Sequence, residues 1–147
     1  MKKLFITSVV VFASILSFAQ NKEASAAKEV LNQYKIAVEK LDVTGTEKLF
    51  TGDSKIFESG GSEGNYAHYL EDHLGPEFKE FTSFKYGSYK VDVMVEGKYA
   101  FATETYTYII VVAKDKAEVK RKGVTTSVLK KVNGEWKIMV SHNSSRK

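Results

Sequence analysis

Apolar side chains at Ala27, Val30, Leu31, Tyr34, Val38 and Leu41 recur every three or four residues, with Lys28, Lys35 and Glu39 elsewhere on the wheel. That spacing predicts an amphipathic helix over residues 23–41. Thr44-Gly45-Thr46-Glu47 reads as a capping box opening a short second helix that carries Leu49 and Phe50 and stops at Gly52. Ser54 to Glu58 reads as a short strand, and Ser59-Gly60-Gly61-Ser62 as a turn. Asn65 is placed to cap a third helix, with Tyr66, Tyr69, Leu70, His73 and Leu74 on its less polar side and Gly75-Pro76 ending it. Beyond that point the period changes from 3.6 to 2. Tyr89, Val91, Val93 and Val95 alternate with Lys90, Asp92, Met94 and Glu96. Residues 99–112 form a second strand and 117–132 a third. Asn133-Gly134 is a strong hairpin signal that leads into a last strand from Glu135 to about Asn143.

Helices followed by a meander of long strands predict an α+β domain with three N-terminal helices against a curved antiparallel sheet. Strands of this length must twist and curve. A curved sheet closed by helices is a cone, whose mouth is a natural pocket for a small molecule. Gly87, inside the strand pattern, is expected to mark a bulge.

The first nineteen residues carry a different message. Lys2 and Lys3 precede an apolar run from Leu4 to Leu16, and Ser17-Phe18-Ala19 supplies a small-x-small cleavage site. This is the pattern of a secretory signal peptide, cleaved after Ala19, and it leaves a domain over residues 20–147. The run falls short of the roughly 20 residues a membrane span needs. The expected location is therefore periplasmic or secreted, with no membrane attachment after cleavage. Removing Lys2 and Lys3 lowers the net charge from +4 to +2. The remaining charge is uneven, with 10 basic and 15 acidic residues over 20–112 against 10 basic and 3 acidic over 113–147. The basic half contains only Trp136 as an aromatic, so it lacks the stacking platform of a nucleic-acid site. The absence of cysteine excludes disulfides, thiolate metal sites and a cysteine nucleophile. No phosphate loop, nucleotide fingerprint or hydrolase elbow is present, and no cofactor is expected.

The last hairpin is the most specific part of the chain. Gly123, Thr126 and Leu129–Ile138 (LKKVNGEWKI), followed by His142-Asn143-Ser144, resemble the closing hairpin of the SnoaL-like branch of the nuclear transport factor 2-like superfamily. The opening VLNQYKIAVEKLD and Leu49-Phe50 are similar to the family's first helices. The resemblance covers nearly all of residues 23–145. It implies the cone fold, a pocket for a small apolar molecule and a homodimer formed through the sheet. Ketosteroid isomerases share this fold and use a tyrosine oxyanion donor, an acidic base and a second, protonated Asp. Tyr34 matches the tyrosine and Glu58 the base, whereas the late-strand Asp has no match, since the segment reads Thr125-Thr126-Ser127.

Three histidines are present. His68 and Asp72 have the i, i+4 spacing of metal ligands, whereas His73 lies five residues from His68 and points elsewhere. His142 is read as in phase with Trp136, Ile138 and Val140. His73 and His142, with Glu58 or Glu104, could hold a metal or move a proton only if they converge, and no metal is expected. Candidate polar contacts in the cone are therefore Tyr34, Glu58, His73, Thr126, His142 and Ser144. Binding without catalysis leads. A proton-transfer enzyme with Glu58 as base and Tyr34 as oxyanion donor is the alternative, and a dimeric interaction module is a third reading.

Overall fold

The computed structural model describes the backbone from residue 2 and the side chains from residue 20 to Lys147. The segment read as a secretory signal, residues 1–19, lies outside the residues whose side chains are described. Helix α1 spans Lys2–Glu39, so it runs unbroken through the expected start at residue 23 and ends two residues early. No helix among the described residues is long and apolar enough to cross a membrane. Ala27, Leu31 and Val38 on one side of α1 are buried, and this stripe seats the helix on the sheet. Burying a side chain such as Leu31 is worth about 2 kcal/mol. Glu23 fixes the same helix by accepting hydrogen bonds from Lys131 Nζ at 2.7 Å and Trp136 Nε1 at 2.9 Å.

The expected second helix is a single tight turn, Thr46–Leu49. The capping box does not form. Gly45 takes the cap position with φ of 73° and no side-chain bond, and the Thr46 hydroxyl donates to Val43 O at 2.6 Å. Strand β1, Phe50–Glu58, therefore begins where the helix was expected to continue, and Gly52 lies within the strand. After the two-residue strand β2 (Gly61–Ser62), Asn65 caps the next helix as expected, its side chain accepting from His68 N at 2.9 Å. This helix does not end at Gly75-Pro76. Helix α2 (Tyr66–Tyr69) passes through a wide π turn (Leu70–Leu74) into α3 (Gly75–Lys79). The π turn lets Gly75 N bond Leu70 O and leaves Pro76, which has no N–H to offer, at the start of a new helical segment. A side chain at Gly75 would place its Cβ 2.7 Å from Leu70 O.

The remaining chain is strand: β3 (Phe81–Glu96), β4 (Tyr99–Val112), β5 (Glu118–Val132) and β6 (Glu135–Arg146). The six strands form one curved, unclosed sheet in the order β2-β1-β6-β5-β4-β3. All neighbours are antiparallel except β1 and β6, which run parallel. The helices lie against the inner face, and the result is the expected α+β cone. Asn133 and Gly134 both have positive φ, as the two-residue hairpin requires.

Register shifts decide which side chains face inward, the first of them between Phe81 and Ser83 at the start of β3. In β3 the register shifts between Gly87 and Lys90, next to the expected position. In β6, Ile138 pairs with Leu129 but Val140 pairs with Val128, so Met139 is the extra residue. A one-residue insertion in a period-2 strand exchanges its faces. Trp136 and Ile138 point into the cone, and beyond Met139 the inward positions become Ser141 and Asn143.

Candidate ligand cavity

The cone encloses a cavity of about 200 Å³ between α1, α2–α3 and the inner face of the sheet. Leu31, Val38, Phe50, Leu74, Phe78 and Ile138 supply much of its apolar wall. Its polar groups arrive from four directions: Tyr34 from α1, Glu58 from the end of β1, Tyr69 and Glu77 from the helical layer, and Glu104 and Tyr106 from β4.

Tyr34 is half-buried and lines the cavity. Its ring packs edge-on against Phe50 at 5.2 Å and Tyr66 at 5.7 Å. Burial pushes its hydroxyl well above the ordinary tyrosine range, so it stays a neutral donor. Glu58 is half-buried, and its Oε2 accepts a hydrogen bond from the Tyr69 hydroxyl at 3.0 Å. Burial and then the Glu58 charge raise the Tyr69 pKa far beyond its usual value. Glu104 is buried on β4, with Oε2 held by the Tyr89 hydroxyl. Burial raises its pKa, and the Tyr89 hydrogen bond opposes that rise. Tyr106 is tied to Thr125 Oγ1 at 2.8 Å.

His73 stands at the rim of the cavity rather than in its wall. Its Nε2 lies 3.6 Å from Glu58 Oε2 and 3.4 Å from Glu77 Oε1, while Nδ1 lies 3.4 Å from Glu63 Oε2. Its ring stacks on Tyr69 with centroids 5.2 Å apart. Burial raises the Glu77 pKa, and the nearby His73 pulls it back down. His68 pairs with Asp72 at 2.7 Å on an exposed helix face, away from the cavity. Among the described residues no cluster of three or more His or carboxylate groups could hold a metal ion.

Of the six residues singled out by sequence, Tyr34, Glu58 and Ser144 line the cavity and His73 borders it. Thr126 and His142 do not. Both are exposed, paired with each other across β5 and β6 on the outer face. The Met139 bulge is the reason for His142: the phase that runs through Trp136 and Ile138 is reversed before residue 142. Thr126 lies one residue from the inward positions, which are Thr125 and Ser127. Ser144 also borders a second, open groove of about 650 Å³ on the outer face, with Lys90, Lys122 and Arg146. The sequence reading missed Tyr69, Tyr106 and Asn143 as wall residues. Alternation along β4 was the available signal for Tyr106, in phase with Ala102 and Glu104.

A curved six-stranded sheet wrapped on one side by helices around such a cavity is the architecture of the nuclear transport factor 2-like superfamily. The family model described as SnoaL-like domain matches residues 27–146, and the chain belongs to that family. A nuclear transport factor 2-like superfamily protein from Salmonella enterica serovar Typhimurium superposes with a TM-score of 0.74 at 20% identity, covering 90% of this chain and 94% of that one. A provisionally assigned ketosteroid isomerase from Shewanella frigidimarina gives 0.70 at 21% identity, over 81% of this chain and 94% of that one. A hexachlorocyclohexane dehydrochlorinase, LinA-type3, from Novosphingobium barchaimii gives 0.72 at 12% identity, over 89% and 91%. At these identities the likeness is one of fold. A comparison with curated proteins gives no match.

Proposed function

We propose that the chain is an exported domain that binds a small, largely apolar organic molecule in its cone. The observation that carries this reading is the cavity itself, an aromatic and aliphatic chamber into which a few polar groups converge. Size narrows the ligand. A dry cavity of about 150 Å³ holds benzene, so about 200 Å³ suits one ring with a short substituent. A four-ring steroid would need the cone to open. The domain is proposed to act in the periplasm or outside the cell as a homodimer paired through its sheet, with the leader removed after Ala19.

A native mass spectrum of the protein recovered from an exported preparation tests this reading. The expected result is a chain that begins at Gln20 and carries a small organic mass, lost on unfolding. An uncleaved chain would remove export from the reading, and a protein that neither retains nor takes up any small organic molecule would remove binding.

A second reading is favoured by one observation: Glu58 and Tyr34 line the same chamber. Glu58 would take a proton from carbon next to a substrate carbonyl. The Tyr34 hydroxyl would hydrogen-bond the enolate oxygen, and the carboxyl would then return the proton at another carbon. Isomerisation of a small β,γ-unsaturated ketone to its conjugated form is the assay. Under this reading E58Q lowers kcat by about 100-fold or more while the ketone still binds. Equal rates in parent and E58Q would leave binding alone.

A further inference from the structure

We propose that the cone selects an organic cation, one ring bearing a short ammonium group, held between Glu58 and Glu104 against the tyrosine wall. The inference rests on the cone-binding reading and adds the sign of the ligand's charge. Glu58, Glu77 and Glu104 all line the cavity. Lys35 lines it too, but its ammonium is committed to Glu39 at 2.6 Å. A carboxylate or phosphate ligand would meet three acidic groups in surroundings where like charges repel strongly. An ammonium meets the opposite field, focused by low-dielectric walls.

The aromatic wall has the same preference. Aromatic faces carry partial negative charge and attract cations. The chain already shows this at the cavity wall, since Lys35 Nζ lies 5.5 Å from the ring centre of Tyr86, which lines the cavity, and 5.4 Å from that of Tyr89 behind it. Phe84 and Tyr108 stack beside that pair with centroids 5.3 Å apart, and Tyr106 meets Tyr86 edge-on at 4.9 Å. Glu58 and Glu104 reach this wall from different strands, and both charges act on the Tyr106 hydroxyl. Each carboxylate also has a tyrosine donor on Oε2, Tyr69 for Glu58 and Tyr89 for Glu104, which orients it without neutralising it. A buried carboxylate with no cation is costly, and a bound ammonium removes that cost.

Calorimetric titration of the purified protein at about pH 8, where an ordinary imidazole is neutral, tests the inference with three probes of one size. These are benzylamine, which keeps its proton there, benzyl alcohol and benzoate. The expected result is that benzylammonium binds at least about tenfold more tightly than benzyl alcohol and that benzoate does not bind. E104Q and E58Q, each confirmed folded by circular dichroism, should bring the ammonium and alcohol affinities together. The inference falls if benzyl alcohol or benzoate binds as tightly as benzylammonium, or if the preference survives in both variants; the cone-binding reading then stands. If none of the three binds, the inference falls, and the native mass spectrum decides the cone-binding reading on its own.

Discussion

Glu104 is the residue on which the balance between fold and site is easiest to measure. It is buried on β4, inward-facing beside Ala102 and Tyr106, and the Tyr89 hydroxyl reaches only one of its oxygens. Burial raises its pKa more than that hydrogen bond lowers it. A raised folded-state pKa means the folded chain binds this proton more tightly than the unfolded chain does. The stability gained is full below the ordinary carboxyl pKa of about 4.3 and is lost as pH rises through the folded-state value. E104Q has no proton to lose and keeps an acceptor for Tyr89. Its Tm should therefore match the parent's near pH 4 and exceed it at pH 7. Parallel Tm profiles for the two proteins would show that burial does not strain this carboxylate. The residue was within reach of the sequence, because residues 99–112 alternate and position 104 shares the phase of Tyr106 and Tyr108. Its tyrosine partner was not, because Tyr89 reaches it only across the β3 bulge.

At the scale of elements, local chemistry wrote the cap at Asn65, the Asn133-Gly134 hairpin and the strand pattern. These signals act within a few residues, so a linear reading finds them. Three features depend on distant partners and were not legible. Thr44-Gly45-Thr46-Glu47 has the letters of a capping box, but Phe50 is drawn into β1 by its pairing with Ile138. Gly75-Pro76 has the letters of a helix stop, but the π turn carries the helix through it. The Met139 bulge has no local signature at all. It arises where β6 must match β5 on one side and parallel β1 on the other, and the β1 pairing is irregular over the same stretch, between Phe50 and Lys55. Deleting Met139 should leave a regular strand with Ser141 and Asn143 still facing inward, but one residue shorter than the stretch that parallel β1 meets between Ile138 and Val140. The deletion should lower stability by about 2–4 kcal/mol in urea titrations, whereas M139A, which keeps the extra residue, should cost about 1 kcal/mol. If the two variants lose equal stability, the extra residue is not what fits β6 between β5 and β1.

For the molecule as a whole, the inner face of the sheet is occupied by helices and cavity, so the outer face is what remains for a partner. Met94, Phe101, Val128 and Val140 are cross-strand neighbours on that face, forming an apolar row over four strands. Met94 is 61% exposed and Phe101 43%, unusual for large apolar side chains so close together. A second copy of the chain is the proposed cover, because a two-fold arrangement lays the row against itself. The position of the axis follows from charge. Lys90, Lys122 and Arg146 lie toward one end of the face, around the outer groove, and an axis through that end would bring like charges together. The axis therefore belongs at the apolar row, away from the basic groove. Sedimentation equilibrium should show a dimer for the parent and a monomer for M94E/F101E. Both substitutions lie on the outer face, so the variant should keep its circular dichroism spectrum and its affinity for whatever the cone takes up. A parent that is monomeric at about 50 μM, well above the Kd of a specific standard-sized interface, would leave the row without its proposed cover. A variant that loses dimer and ligand together would show that the cone depends on the partner to hold its shape. The sheet would then be one mechanical unit, in which pairing on the outer face sets the curvature of the wall that Glu104 and Tyr106 present inside.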